Sequence, residues 1–592
     1  MSFYTDASLV MIPSGYKTSK VYSAKPVDGS GDLDFTRSND TATRVNSSGL
    51  IEKVRTNVLL YSQDFSNAAY ITTGYGNLPS VSVNTTANPL NGAQDADTAT
   101  FTAAGTQCRL LQQFTGLGTT NKFTYSIYIK AGTKSAVNIY TDVTDTGRNA
   151  SFNLSTGTII TQSAGVTASI TSAGFGFYRC SVTTLPTTAG QLEVGIISLV
   201  GEDGSLILFG AQLELSDFGA TDYIATTTAT SVGPVANLPR LDYSGGATCP
   251  SLLLEPQRTN LATYSEQFDN AAWTKTAIAV TANSIASPDG YTNADFLVPT
   301  ATNGLHSCIQ PVGISSGTYT LSVFAKQGGY KNLLVWFDGH SGGVGVNLDT
   351  LAVFRNENNS GYSIDDFGNG WIRISVTITA SGVANPNIYV YNNAATPAIS
   401  FAGDGTSGIY LWGAQAEVGA YATSYIPTLS AALTRGQELC SKTGISSLLG
   451  QSEGTCFIEV DIQRSQDTRL PFLINSPNAA TLTSEAYFYI NGSNNLIFEV
   501  VTAGVPQCSI SSGTATTGVQ KLAFAYKNND FVFYKNGVQV GVDTSGTVTS
   551  GFDSLYVGSY NANNLNLNEP IKQALVFKTR LSNASLASLT TL

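Results

Sequence analysis

The chain has 592 residues, 42% of them hydrophobic and only 12% charged, about half the ~25% charged share of an ordinary globular protein. Ser, Thr, Asn and Gly replace the missing charge, a composition of turn-rich β proteins rather than of long helices. Lys plus Arg number 30 against 41 Asp plus Glu, a formal net charge of −11 with no basic run, which excludes nucleic-acid binding by phosphate neutralisation; no apolar run is long enough for membrane insertion.

Residues 1–54 read as an N-terminal arm followed by a hairpin. Positions 1–33 show no strong period and include Pro13, Gly15 and Pro26, with no basic, signal-like start, so they form the expected attachment arm. Residues 42–54 alternate around an Asn46-Ser-Ser-Gly49 turn and read as a hairpin.

The next segment, 55–230, is repeated later in the chain. Arg55-Thr-Asn-Val-Leu-Leu-Tyr-Ser-Gln-Asp-Phe-Ser-Asn-Ala-Ala-Tyr70 aligns without a gap with Arg258-Thr-Asn-Leu-Ala-Thr-Tyr-Ser-Glu-Gln-Phe-Asp-Asn-Ala-Ala-Trp273, at an offset of 258 − 55 = 203. Tyr125-Ser-Ile-Tyr-Ile-Lys130 then pairs with Leu321-Ser-Val-Phe-Ala-Lys326, and Gly176-Phe-Tyr-Arg179 with Gly370-Trp-Ile-Arg373. Phe209-Gly-Ala-Gln-Leu-Glu214 pairs with Trp412-Gly-Ala-Gln-Ala-Glu417, and Ala220-Thr-Asp-Tyr-Ile224 with Ala422-Thr-Ser-Tyr-Ile426. The anchors are short runs rich in aromatic and β-branched residues between turn signals, which predicts two tandem β-sandwich or jelly-roll modules, 55–230 and 258–434, with residues 231–257 as a connector.

From 435 to 592 the repeat ends and other strand-like runs follow: Thr455-Cys-Phe-Ile-Glu-Val-Asp-Ile462, Lys521-Leu-Ala-Phe-Ala-Tyr526, a hairpin around Lys535-Asn-Gly537, Leu555-Tyr-Val-Gly-Ser-Tyr560 and Ile571-Lys-Gln-Ala-Leu-Val-Phe577, before a closing Leu581-Ser-Asn-Ala-Ser-Leu586. The C-terminal runs resemble concanavalin A-like domains of the laminin-G type. The modules, with Arg-Thr-Asn, Tyr-Ser and Phe near the start and Gly-Ala-Gln and Glu near the end, together with Phe35-Thr-Arg37 and Gly49-Leu-Ile-Glu52, resemble the carbohydrate-binding jelly rolls of bacteriophage head-spike and tail-fibre proteins. The resemblance implies a homo-oligomeric virion-surface protein, a head fibre, capsid decoration or tail fibre, meeting other virion proteins through its N-terminal region and cell-surface glycans through its modules. Seven cysteines without a C-x-x-C spacing indicate neither a zinc site nor a closed disulfide framework and read as mostly reduced. Manufacture inside a cell and release by lysis fit both that and the exterior-type composition.

Catalysis is not expected. Glu459-Val-Asp461-Ile-Gln-Arg464 matches two positions of the Glu-x-Asp-x-x-Glu strand that concanavalin-like hydrolases resemble, but the third is a guanidinium, which cannot serve as the acid. The two histidines, His306 and His340, have no Gly-x-Ser-x-Gly elbow to accompany them. No cofactor is expected; Asp95, Asp97, Asp365 and Asp366 are the clusters that calcium could use, and solvated loop charge accounts for them better. Aromatic rings are the usual platforms for sugars, yet the repeat matches Trp273 with Tyr70, Trp371 with Phe177 and Trp412 with Phe209, which points to core. Trp336, with Asp338 on its own face two residues on, and the matched Tyr140 with Asp142 are the candidate glycan-binding residues. Purely structural spacers are the alternative, and a polysaccharide depolymerase is the least supported reading.

Overall fold

The computed structural model describes the chain except for residues 1–2, 71–75, 104, 116, 118–120, 142–147, 187–190, 464–468, 476–483, 549 and 559–566. Strand follows strand, the central ones buried along most of their length and edge strands such as Thr158–Gln162 exposed, and every described ladder is antiparallel, so the all-β reading holds. Two compact units emerge, Val54–Gly233 and a larger one made of Met1–Lys53 with Pro234–Leu592.

The smaller unit is the first module. One sheet runs Val166–Gly174, Phe177–Thr184, Phe123–Ala131, Gly204–Leu215, Gln94–Phe101, Ser80–Ala87, and the other Thr158–Gln162, Asn149–Asn153, Ala136–Thr141, Gln191–Ser198, Cys108–Thr115. Late strands sit between early ones in both sheets, which is jelly-roll winding. The second module repeats it: Gly361–Asp366, Ile372–Ala380, Gly317–Gly328, Gly408–Val418, Thr292–Pro299, Ile278–Ala286 against Val353–Glu357, Gly342–Asn347, Asn332–Asp338, Asn385–Tyr391, Ser307–Ile309, Thr274–Thr276. Each core lies between its two sheets, with Ile127, Ile139 and Leu208 in one and Val323, Val335 and Leu411 in the other.

The repeated motifs form a polar clasp that closes each module. Asn260 is fully buried, donating to the carbonyls of Ala414 (3.0 Å) and Ile426 (2.8 Å) and accepting from the N–H groups of Ala262 (3.1 Å) and Ala416 (3.0 Å). Asn57 does the same with Ala211, Ile224, Leu59 and Leu213. Gln415 accepts from Ile426 N and donates to Glu417, which accepts from the Thr423 N–H and hydroxyl; Gln212, Glu214, Thr221 and Ile224 repeat that chain. Each module enters and leaves through a two-strand stem, Arg55–Asn57 with Thr230–Val232 and Arg258–Asn260 with Leu433–Arg435. Replacing Asn260 with alanine orphans four buried backbone groups, and the expected cost is about 3 kcal/mol or more. Urea denaturation followed by tryptophan fluorescence measures it, since all four tryptophans lie in this module.

The N-terminal region corrects the expectation of an arm. Leu9–Lys17 pairs with Ile571–Phe577, Lys20–Lys25 pairs with Leu9–Lys17 and Leu33–Thr36, and Leu33–Thr36 pairs with Leu439–Lys442. These strands lie in the middle of the C-terminal domain's sheet, and Leu9, Met11, Val21, Leu33 and Phe35 are wholly buried in its core with Phe488, Phe498 and Phe524. The connector joins that sheet too: Arg240–Asp242 pairs with Ser251–Leu253, and Leu252 faces Ile571. The sheet curls so that its edge strands approach, a Cβ placed on Gly541 of one falling 2.8 Å from Ile510 of the other. Asn536 and Gly537 both take positive φ (50° and 82°), as a two-residue type I′ turn requires, confirming the hairpin there. The closing segment is a helix, Asn583–Thr590, whose N-cap Ser582 accepts from Ser585 N.

The predicted hairpin forms between Thr43–Val45 and Ile51–Lys53, and it packs on the second module. Thr43 donates to Tyr425 O (2.6 Å), Ile51 N to Pro288 O (2.9 Å), and Lys53 meets Glu266 (2.7 Å) and Asp289 (3.2 Å). Val45 and Ile51 join a cluster with Trp371 and Trp412, which are 3% and 0% exposed.

Candidate functional site

The second module's Asn332–Asp338 strand sends Leu333, Val335 and Phe337 into the core and Leu334, Trp336 and Asp338 to the outer face. On the neighbouring strand Asn387, Tyr389 and Tyr391 share that face, Asn387 directly opposite Trp336. The strand on the other side is glycine-rich for a steric reason: a Cβ on Gly343 would lie 2.6 Å from the Trp336 ring, and one on Gly345 2.7 Å from Phe354. Both rings therefore lie against backbone that a side chain would block. A register shift between Gly345 and Val346 makes a bulge opposite Val353–Glu357, which lets the consecutive residues Phe354 and Arg355 both reach the outer face.

Arg355 organises the result. Its guanidinium carbon stands 4.7 Å from the Trp336 ring centroid, Nη1 donates to Tyr391 Oη (2.8 Å), and Nη2 donates to Glu357 Oε2 (2.9 Å). Hydrogen bonding to Glu357 and Tyr391 keeps that guanidinium charged. Asp338 accepts from Asn387 Nδ2 (2.8 Å) and Tyr389 Oη (3.0 Å); burial and the Asp338 charge push the Tyr389 phenol up, so it remains a donor. Beside this cluster opens a cleft of about 550 Å³ lined by Phe354, Arg355, Glu357, Tyr391, Ile399 and Ser400, among others. Trp336 itself is 8% exposed, so it supports Arg355 from below, and a ligand in the cleft would meet guanidinium, carboxylate, phenol and apolar rim.

Tyr140 occupies the matched place in the first module, buried beside Leu111 and Ile197 with Arg109 6.0 Å from its ring. Its surroundings differ: Asn149 stands where Trp336 has Gly343, Gly195 where it has Asn387, and Ile197 in place of Tyr389. Asp142 lies outside the described residues. The aromatic is thus common to both modules, while Gly195 and Ile197 replace the polar Asn387 and Tyr389 in the first. Arg355, Asn387, Tyr389 and Tyr391 were missed in the sequence; the Gly-Gly-Val-Gly-Val run and the alternating Tyr389 and Tyr391 were the available signals.

The other candidates have structural surroundings. Trp273 Nε1 donates to Tyr264 O (3.1 Å) as Tyr70 Oη does to Tyr61 O (3.3 Å). Asp97 is buried and accepts from Phe65 N and Asn84 N, tying a loop, and burial pushes its carboxyl up. Asp95 accepts from Asn88 Nδ2, while Asp365 and Asp366 sit exposed on an edge strand. His306 is buried with its ring nitrogens 2.8 Å from the carbonyls of Ala277 and Phe401, and half-buried His340 contacts Asn358 O. Glu459 accepts from Gln573 (2.6 Å); Asp461 shares its face, and Arg464 lies outside the described residues. All seven cysteines are free thiols.

No family model matches the chain, and no curated protein is similar to it. Among solved structures it is similar to the CBM40 module of the Ruminococcus gnavus IT-sialidase bound to α2,3-sialyllactose, at 15% identity over 25% of this chain and 91% of that one, with a TM-score of 0.22. It is also similar to the NanB sialidase from Streptococcus pneumoniae (17% identity, 26% of each chain, TM-score 0.22). A third is domain 4 of AbnA, a GH43 arabinanase from Geobacillus stearothermophilus in complex with arabinotriose (14% identity, 26% of this chain, 73% of that one, TM-score 0.22). Likenesses of this strength carry no functional argument, and the reading below rests on this chain's own residues.

Proposed function

We propose that this chain is a structural protein of a bacteriophage virion surface, a head fibre, capsid decoration or tail fibre, that assembles as a homo-oligomer and binds glycans through its second module without cleaving them. The observation that carries the binding reading is the Arg355–Glu357–Tyr391 cluster on its Trp336 support beside an open cleft. A pyranose needs an apolar surface for its C–H face and a few placed polar partners for its hydroxyls, and this face offers both. The virion reading is supported by the order of motifs along the chain. Antibodies against the C-terminal domain decorating phage particles would agree with it; bare particles would sink it.

Binding is tested on a glycan array with the full chain. Signal that disappears in an Arg355→Ala variant with unchanged thermal unfolding is the expected result; an array without signal leaves the purely structural reading, which the low exposure of Trp336 favours.

A further inference from the structure

We infer that the cleft of the second module selects uncharged saccharides, taking a vicinal pair of hydroxyls at Arg355 and Glu357, and turns away acidic ones. The inference rests on the glycan-binding reading above and adds the class of ligand.

Charge comes first. Among the residues lining the cleft, Arg355 is the one cation and Glu357 the one carboxylate, and Asp338 on the same face is another carboxylate. A ligand carboxylate would share the Arg355 guanidinium with Glu357, which Nη2 already meets, and would add a third negative group to a face that already holds two. The chain as a whole, at −11, offers no compensating positive field.

Donor and acceptor placement comes second. Arg355 Nη2 and Glu357 Oε2 stand 2.9 Å apart at the rim, a strong donor beside a strong acceptor. Neighbouring hydroxyls of a sugar each donate and accept, so one can accept from the guanidinium while the next donates to the carboxylate, leaving neither charge unpaired. Opening the existing pair is cheap, because Glu357 is half exposed (49%) and exposed ion pairs contribute little. Phe354, Tyr391 and Ile399 supply the apolar surface against which the ring lies.

At the matched place in the first module the guanidinium meets an amide. Arg109, the guanidinium near Tyr140, has Nε (3.0 Å) and Nη2 (2.6 Å) both held by Gln107 Oε1, a neutral amide.

The test presents the full chain to matched panels of neutral and carboxylate-bearing glycans. Expected are hits among neutral glycans only, with Glu357→Gln and Arg355→Gln each weakening them by about tenfold or more at unchanged thermal stability. Hits on acidic glycans that Arg355→Gln abolishes would overturn the inference and leave glycan binding standing. Neutral hits indifferent to both substitutions would overturn the cleft as their site. Silence on both panels would overturn the inference together with the binding reading.

Discussion

Replacing Glu438 with glutamine is expected to destabilise the larger unit by about 3–5 kcal/mol, the usual consequence of leaving buried charge uncompensated. Glu438 is fully buried, with Oε1 accepting from Arg37 Nη1 (2.7 Å) and Arg240 Nε (2.7 Å), and Oε2 accepting from Arg240 Nη2 and from Glu255 N (2.9 Å). Glu255 in turn meets Arg240 and Arg435, each at 2.8 Å. Three guanidiniums face two carboxylates, so the glutamine variant keeps the shape of the cluster and leaves three against one. The five side chains come from the N-terminal segment, the connector and the chain just after the second module, so the loss should appear as one cooperative transition at lower urea, read by tryptophan fluorescence. Burial alone would raise both carboxyls; the charges of Arg240 with Arg37, and of Arg435 with Arg240, outweigh it and hold Glu438 and Glu255 below the ordinary carboxylate range. A depressed carboxylate gives stability that is present above its unfolded value of about 4.3 and is lost as pH falls below it. The variant should therefore show a shallower decline in acid than the parent chain.

Removal of residues 1–36 is the second large effect. Leu9, Met11, Val21, Leu33 and Phe35 are each 0% exposed, and at about 2 kcal/mol per buried apolar side chain their loss approaches 10 kcal/mol, comparable with the whole stability of a typical domain. The same cut strips Ile571–Phe577 and Leu439–Lys442 of one neighbouring strand each, opening two apolar edges in the middle of a sheet. The truncated chain is expected in the insoluble fraction, and Phe35→Ala alone should cost about 3–5 kcal/mol. A soluble truncation with an unchanged urea midpoint would restore the free-arm reading.

The modules were legible because their motifs are the clasp: Asn57 with Asn260 and Gln212 with Gln415 make side-chain bonds that few other residues can make, so the same letters recur in both copies. The N-terminal strands were not. Val10 pairs with Leu575, a partnership with no local signature, and a register shift between Met11 and Tyr16, where Pro13 sits, breaks the alternation that would have marked the strand. Within the site, period two placed Trp336 and Asp338 on one face correctly, but nothing along the chain tells that Arg355, from the far side of a glycine strand, lies over the indole.

The two-strand stems have a consequence for how such a chain can change. Because its two ends leave side by side as paired strands, each module begins and ends at one place. A cassette with such ends can be copied within a chain while the segments flanking it stay adjacent, and the two copies here, alike in their clasps and unlike in their outer faces, are what duplication followed by separate specialisation leaves behind.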